Sequence, residues 1–377
     1  MSHWQAIVVG VGGVGSASLY ELSRRGLKVL GIDRFPVGHA RGSSHGQTRV
    51  IRQAYFEHPD YVPLARIAFQ RWRELEKRSG NQLLRQAGLL QVGPSEGRVL
   101  KGVRRSANQH GLEIEELRRE QIAKRFPGLR VPKNSVGLHE SQAGYLLVER
   151  CVETHVSEAE KLSAVIHADE TVRGVGPRKS GVEVITDRGR YTADMAIITA
   201  GAWARELLKE LRLPLTVRRK ASFWFAPRDG SYRVEAPCPA FLFETPEGFF
   251  YGLPQVDATG VKVAEHTGGR TVVDPLNVDR DVDAEDVARV ERFVRSCVPH
   301  LETPYREHAV CMYTMTSDEH FIIDRHPDAK QIALAAGLSG HGFKFVGVLA
   351  AALADLLIDG KTDVPVEFLS LSRGSLS

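Results

Sequence analysis

The chain opens on a short unbroken apolar run, Ala6-Ile7-Val8-Val9, the pattern of a strand buried on both faces. Apolar positions recur at Ala17, Leu19 and Leu22 before Gly26, which predicts a helix and its stop. A second run, Val29-Leu30-Gly31-Ile32, ends in Asp33. Farther on, Gly181–Ile185 alternates like a strand, Asp187-Arg188-Gly189 turns, and Tyr191–Ala193 returns as a hairpin. Met195–Ala200 then predicts a further, separate buried strand that runs into a glycine turn at Gly201. Apolar spacing predicts helices over Tyr61–Ser79, Ala284–Cys297 and about 345–357, the last after a strand at 332–337. Elsewhere short aromatic-rich runs such as Ser222–Phe225, Ala240–Phe243 and Phe249–Gly252 alternate with Gly, Pro and Asp, which predicts an antiparallel sheet. The expected class is α/β (α+β overall). A doubly wound nucleotide domain is built from residues 1–86, 140–215 and 310–377, and a mixed or antiparallel-sheet substrate domain is inserted as 87–139 and 216–309.

Composition narrows the function classes. With 377 residues, 42% hydrophobic and 25% charged, disordered and fibrous classes drop out. Fifty basic residues face 46 acidic ones, a net charge of +4, and the two signs interleave, as in Glu115-Glu116-Leu117-Arg118-Arg119-Glu120. Interleaving reads as solvated faces, so no nucleic-acid partner is expected. Cys151, Cys238, Cys297 and Cys311 share no C-x-x-C spacing, so no metal site is expected and a reducing, cytoplasmic setting is. Phe345–Ala354, the longest apolar stretch, is too short to cross a bilayer, so no membrane partner is expected. Met1-Ser2-His3-Trp4 leads into a strand without a signal-peptide pattern, and Ser375-Leu376-Ser377 is not a convincing peroxisomal address.

The first loop carries chemistry. In Gly10-Val11-Gly12-Gly13-Val14-Gly15, Gly10 permits a tight turn, Gly12 lets backbone amides approach a pyrophosphate, and Gly15 lets helix and strand pack. The helix start adds N–H donors and a positive dipole end. Asp33 can accept from ribose hydroxyls and repels a 2′-phosphate, so FAD or NAD is expected over NADP. Val172 is placed to meet the adenine through backbone groups.

Three further stretches are unusual for mere scaffold: the small, positive Arg41–Arg52; Gly260–Gly269, where Lys262, Ala264 and His266 share one strand face; and Cys311–Lys344. In the last, Gly340 and Gly342 at a helix start allow close backbone approach to a ligand. Taken alone, Lys262 reads equally as an exposed strand lysine and Cys311 as a buried hydrophobe.

Across essentially its whole length the chain resembles the family of monomeric sarcosine, N-methyltryptophan and peroxisomal sarcosine/pipecolate oxidases. The motifs that carry the resemblance are Ser43-Ser44-His45-Gly46-Gln47-Thr48-Arg49, Cys311-Met312-Tyr313-Thr314 and Ser339-Gly340-His341-Gly342-Phe343-Lys344. It implies a glutathione-reductase-like Rossmann FAD domain, an FAD bound through Ser43, Ser44, Thr48, Arg49, Gly201, Phe343 and Lys344 besides the loop glycines, and a thioether from Cys311 to that FAD. It implies Lys262 at the site of oxygen reduction, Arg52 and Lys344 on a substrate carboxylate, Tyr251 and His266 near the substrate amine, and Arg49 and His45 beside the flavin ring. The expected reaction is FAD-dependent oxidation of a secondary amino acid by O2, giving the demethylated amino acid, formaldehyde and hydrogen peroxide in a monomeric enzyme. An L-pipecolate or L-proline oxidase, or a same-fold dehydrogenase with another acceptor, are the alternatives. Two departures bear on the substrate: Gln47 where many bacterial members carry Asp, and Glu265 where an aromatic residue often precedes the histidine.

Overall fold

The alternation in His3–Val9 feeds two cores. Ala6 and Val8 pack with Leu19 and Leu22, whereas Ile7 and Val9 pack with Ile198 and Ile322. In the computed structural model, which describes residues 3–236 and 238–376, this strand is central to an eight-stranded sheet. Met1, Ser2 and Ser377, which entered the readings of the two ends, lie outside the described residues.

Val165–His167, Val29–Ile32, His3–Val9, Arg190–Ile198 and Ile332–Ala336 run parallel in that order, with Ile322–Arg325 antiparallel at the edge. Helix Gly13–Arg24 packs against both Val148–Glu160 and Val346–Ile358 beside the sheet. Parallel strands need such crossovers, and the resulting cover explains the unbroken apolar runs. Helix Tyr61–Ser79 lies on Val346–Ile358 and ends at Gly80, whose φ of 74° is the left-handed stop.

One expectation changes here. The return of the hairpin and the buried strand after it are a single strand, Arg190–Ile198. Its first half pairs antiparallel with Val182–Thr186, and its second half pairs parallel with Ile332–Ala336 on the same side. Exposed Asp194 only breaks the apolar run.

The second sheet has nine strands. It is antiparallel except where Ala240–Thr245 runs parallel to Leu89–Gly93, which welds the two inserted segments together. Glu307–Met315 pairs with Thr216–Phe225 from Trp224↔Glu307 to Thr216↔Met315. The boundary drawn between residues 309 and 310 therefore falls inside one strand, and the sheet carries Cys311 with it. Helix Ala284–Cys297 starts in a capping box formed by Asp283 and Asp286 and stacks Phe293 on Phe250 at 4.7 Å. A third, three-stranded sheet joins Thr48–Ile51, Gly144–Leu147 and Leu84–Arg85, and it aims Arg49 and Arg52 into the space between the large sheets. Among the described residues no helix is long and apolar enough to cross a membrane.

Candidate active site

The first cavity is a cleft of about 1630 Å³ that begins at the glycine loop. Gly10 has φ +85°, and a Cβ there would lie 2.6 Å from the Thr199 carbonyl oxygen. At Gly15 a Cβ would lie 1.7 Å from the Gly10 carbonyl oxygen, so only glycine lets the helix sit on the strand. Gly12 is open by contrast: its Cβ would meet only the Ser44 hydroxyl, at 3.6 Å. The helix it caps has no side-chain cap bond, so N–H donors at that end face the cleft, apart from that of Gly13, which donates to Ser44 Oγ at 3.0 Å.

At the end of Val29–Ile32, Asp33 accepts from the Val11 amide at 2.6 Å and the Phe35 amide at 2.9 Å. Burial pushes its carboxyl up, against the pull of those amides. Val14, Ser43, Val172, Gly201 and Phe343 line the cleft, together with Gly340, Gly342 and Arg49. The two later glycines answer to packing: a Cβ at Gly340 would strike the Tyr313 ring at 2.3 Å, and one at Gly342 would strike Leu338 at 2.6 Å. Packing alone therefore requires glycine at both positions.

The fit to a dinucleotide can be tested on atoms. Arg34 Nη1, Trp203 Nε1 and Thr314 Oγ1 belong to residues lining this cleft and are buried without a hydrogen-bond partner. Buried polar atoms are ordinarily satisfied, so these mark where a polar ligand belongs. Together with the open glycine cradle and Asp33 at the end of the second strand, they fit a ligand with several polar groups, as FAD is.

The second cavity, about 600 Å³, adjoins the first and shares Arg49, Tyr313, Gly340 and Phe343 with it. Arg52, Lys344, Tyr251 and His266 all line it. Glu57, which the sequence reading missed, lines it too. Arg52 Nη2 lies 2.7 and 2.8 Å from the two Glu57 oxygens, and its guanidinium carbon lies 4.1 Å from the Tyr55 ring centroid. Burial pushes the Glu57 carboxyl up, but Arg52, His341 and Lys344 outweigh it and hold the group at about 2. Lys344 donates to the His341 carbonyl at 2.6 Å and to the Tyr55 hydroxyl at 3.2 Å. Burial and Arg52 pull its ammonium well below its usual value, with Glu57 opposing. Burial, then Lys220, lowers the His266 imidazole to about 4, so at neutral pH it carries no charge. Arg49 and Arg52 against Glu57 leave the lining with a cationic excess even without Lys344.

Five expected residues stand outside both linings: Gly15, which lets the helix sit on the strand, and Lys262, His45, Thr48 and Cys311. Lys262, 1% exposed, donates to the carbonyls of Gly46 at 2.5 Å and Thr48 at 3.2 Å, beneath the loop that leads to Arg49. His45 is buried with Nε2 unpartnered, and burial, Arg49 and Lys262 lower it to about 3. Thr48 is likewise buried with Oγ1 unpartnered. The Cys311 sulfur lies 3.6 Å from Arg49 Nη2, next in sequence to Met312, which lines the cleft. The two departures flagged in the sequence are also outside the second lining. Gln47 bonds Asp257 at 2.8 Å and Trp224 at 3.0 Å, and Glu265 faces helix Ala284–Cys297, where Arg289 binds it at 2.6 and 2.8 Å. Among the described residues no group of acids, cysteines and histidines is placed to hold a metal ion.

Comparison with known proteins agrees with this geometry. The model of the DAO family, described as FAD dependent oxidoreductase, matches residues 5–356. A monomeric sarcosine oxidase of Streptomyces avermitilis is 39% identical over 369 residues, covering 96% of this chain and 96% of its own. An N-methyl-L-tryptophan oxidase of Yersinia pestis is 36% identical, covering 98% of this chain and 99% of its own. Among solved structures NikD, titled an unusual amino acid oxidase essential for nikkomycin biosynthesis, superposes with a TM-score of 0.86 at 24% identity, covering 98% of each chain. That last likeness bears on the fold.

Proposed function

The chain belongs to the FAD dependent oxidoreductase family, and from that footing we propose that it oxidises small N-methylated amino acids, converting amine, O2 and water to demethylated amino acid, formaldehyde and hydrogen peroxide. The observation that carries the reading is the cationic second cavity, which adjoins the dinucleotide cleft and shares four residues with it. FAD, when bound, would supply the redox chemistry, a two-electron path from the C–N unit to O2. Gly10, Gly12, Val14, Asp33, Ser43, Ser44, Val172, Gly201 and Phe343 would hold it.

The chain's own groups bind and orient. Arg52 and Lys344 take the substrate carboxylate, whose negative charge favours the charged form of Lys344. This fixes the distance of the amine from the shared boundary of the two cavities, where Arg49 and Tyr313 stand. Oxidation needs the amine lone pair free. The cationic excess favours loss of the ammonium proton, and neutral His266 can accept an N–H bond from the amine. Tyr251 and Tyr313 wall the site near His266, with ring centroids 6.5 and 5.7 Å from the imidazole.

The test is an anaerobic titration of the holoenzyme with sarcosine, larger N-methyl amino acids, L-pipecolate and L-proline. Bleaching of the flavin absorbance by one of the N-methyl compounds is the expected result, with peroxide formed in equal amount on admission of air. If none of the panel bleaches it, the reading is wrong. If bleaching occurs but air yields no peroxide, the enzyme is a dehydrogenase.

The reading includes a thioether between Cys311 and FAD, supported by the sulfur's place beside Arg49. Acid precipitation of the wild type should leave a yellow pellet, and that of Cys311→Ala a colourless one. Wild-type flavin released wholly to the supernatant would count against the bond. It includes also a cofactor domain and a substrate domain built on the two large sheets. The protein is read as a monomer, as the Streptomyces relative is named. A cytoplasmic setting accords with four free cysteines.

A further inference from the structure

Lys220 is a buried cation that the substrate chemistry above leaves unused. It stands mid-strand in Thr216–Phe225, opposite Cys311, and is 6% exposed. Strand lysines ordinarily reach water. This one turns inward and meets three successive carbonyls, those of Thr267 at 2.6 Å, His266 at 3.0 Å and Gly268 at 3.3 Å, while lying 5.4 Å from the Tyr313 ring centroid. The turn it grips follows the strand Val261–Glu265 and contains Gly268 and Gly269 at φ +67° and +95°. Such glycines give a turn little stiffness of its own. From the other side Glu265 is tied to Arg289, and Thr267 Oγ1 donates to Glu265 Oε1 at 2.9 Å.

We propose that Lys220 is a positioning residue for the amine end of the second cavity, acting through His266 by gripping the turn that carries it and by placing a positive charge behind the imidazole. The proposal rests on reading that cavity as the substrate site. The His266 amide donates to the Phe249 carbonyl at 2.7 Å and its own carbonyl is taken by Lys220, so the backbone is fixed on both sides of the ring. After burial, Lys220 is the strongest influence holding the imidazole in its neutral, accepting form; Arg52 and Lys344 act in the same sense, and Glu57 opposes. Around Lys220 itself stand Glu265 from the neighbouring strand Val261–Glu265, Cys311 and Tyr313 from the strand opposite, and Asp286 and Arg289 from helix Ala284–Cys297. Burial lowers the lysine to about 8, with Glu265, Cys311 and Asp286 favouring its charged form and Arg289 opposing. Below that pH the ammonium is charged, which is the state that keeps His266 neutral.

The test uses three variants of the holoenzyme. Lys220→Gln keeps a donor and loses the charge, Lys220→Arg keeps the charge, and Lys220→Met loses both. The acid limb of kcat/KM against pH, set by His266, should move up by about one pH unit in the Gln and Met variants and stay in place in the Arg variant. KM should rise about tenfold in Lys220→Met with kcat within about threefold, since the loss falls on amine placement. An acid limb that vanishes in His266→Gln but is unmoved in a Lys220→Gln protein of wild-type melting temperature sinks the Lys220 proposal alone. An acid limb that persists in His266→Gln sinks the substrate-site reading and this proposal with it. A fall in kcat and melting temperature together, with the pH limb unmoved, makes Lys220 structural and overturns its positioning role.

Discussion

Replacing Lys262 by Met is expected to slow reoxidation of the reduced holoenzyme by O2 about 10²- to 10³-fold, the usual cost of removing one preorganised charge donor. Its anaerobic reduction by substrate should stay within about threefold. The expectation follows from how the lysine is held. It is fully enclosed, and its ammonium has two carbonyl oxygens and the face of Trp224, 5.4 Å to the centroid, as neighbours. Its hydrogen-bond partners are carbonyl oxygens, and the influence of Glu149 ranks below those of burial and Arg49. Burial, then Arg49, pulls it well below its usual value. A charge kept under such tension gains most from negative charge developing on oxygen nearby, and a low-dielectric setting magnifies the gain. On the proposed reading, reduction draws electrons from a substrate held by Arg52 and Lys344 in the second cavity, which Lys262 does not line. Stopped-flow absorbance separates the two half-reactions. Equal slowing of both would remove Lys262 from the oxygen step.

How far the sequence reached depended on whether a feature is local. The strand, glycine loop, helix and acid of residues 6–33 could be read because each signal sits within one turn or one pleat of the next. Helix Ala284–Cys297 ends with its apolar spacing, and Tyr61–Ser79 runs one polar turn past Leu75 to the stop at Gly80. Helix Arg98–His110 went unread: its buried face is only Val99, Leu100, Val103, Ser106 and Ala107, set among basic residues. The strand Arg190–Ile198 was divided because one exposed acid looked like an end. Glu57 was invisible for a different reason. It follows Arg52 by five positions in a segment without regular structure, and nothing in the sequence says that the two fold back into a pair. The cavity's shape is tertiary, whereas the roles of Cys311 and Lys262 came from the resemblance, since a lone cysteine and a strand lysine look the same in a scaffold.

Arg52→Met should weaken binding of a non-oxidisable carboxylate such as acetate, followed by perturbation of the flavin spectrum, by about 2–5 kcal/mol, or about 10²- to 10³-fold at mid-range. Part of that loss would come from folding, because the same change strands Glu57. Both partners are nearly enclosed, with side-chain exposures of 5% and 6%, and breaking a buried pair by removing one member costs about 3–5 kcal/mol. The pH dependence tells the two effects apart. In the wild type Glu57 is depressed to about 2, so its contribution to stability is complete above the normal carboxylate range and is lost as pH falls from about 5 through about 2. Without Arg52, burial dominates and the sign reverses: the carboxyl rises, and the variant should be least stable at neutral pH and recover as acid protonates Glu57. Glu57→Gln alone leaves Arg52 free of its competitor and should tighten acetate binding. The double variant Arg52→Met, Glu57→Gln should regain most of the lost melting temperature and none of the lost affinity. Affinity recovered along with stability would mean that Arg52 holds only the fold, and that the carboxylate is gripped elsewhere.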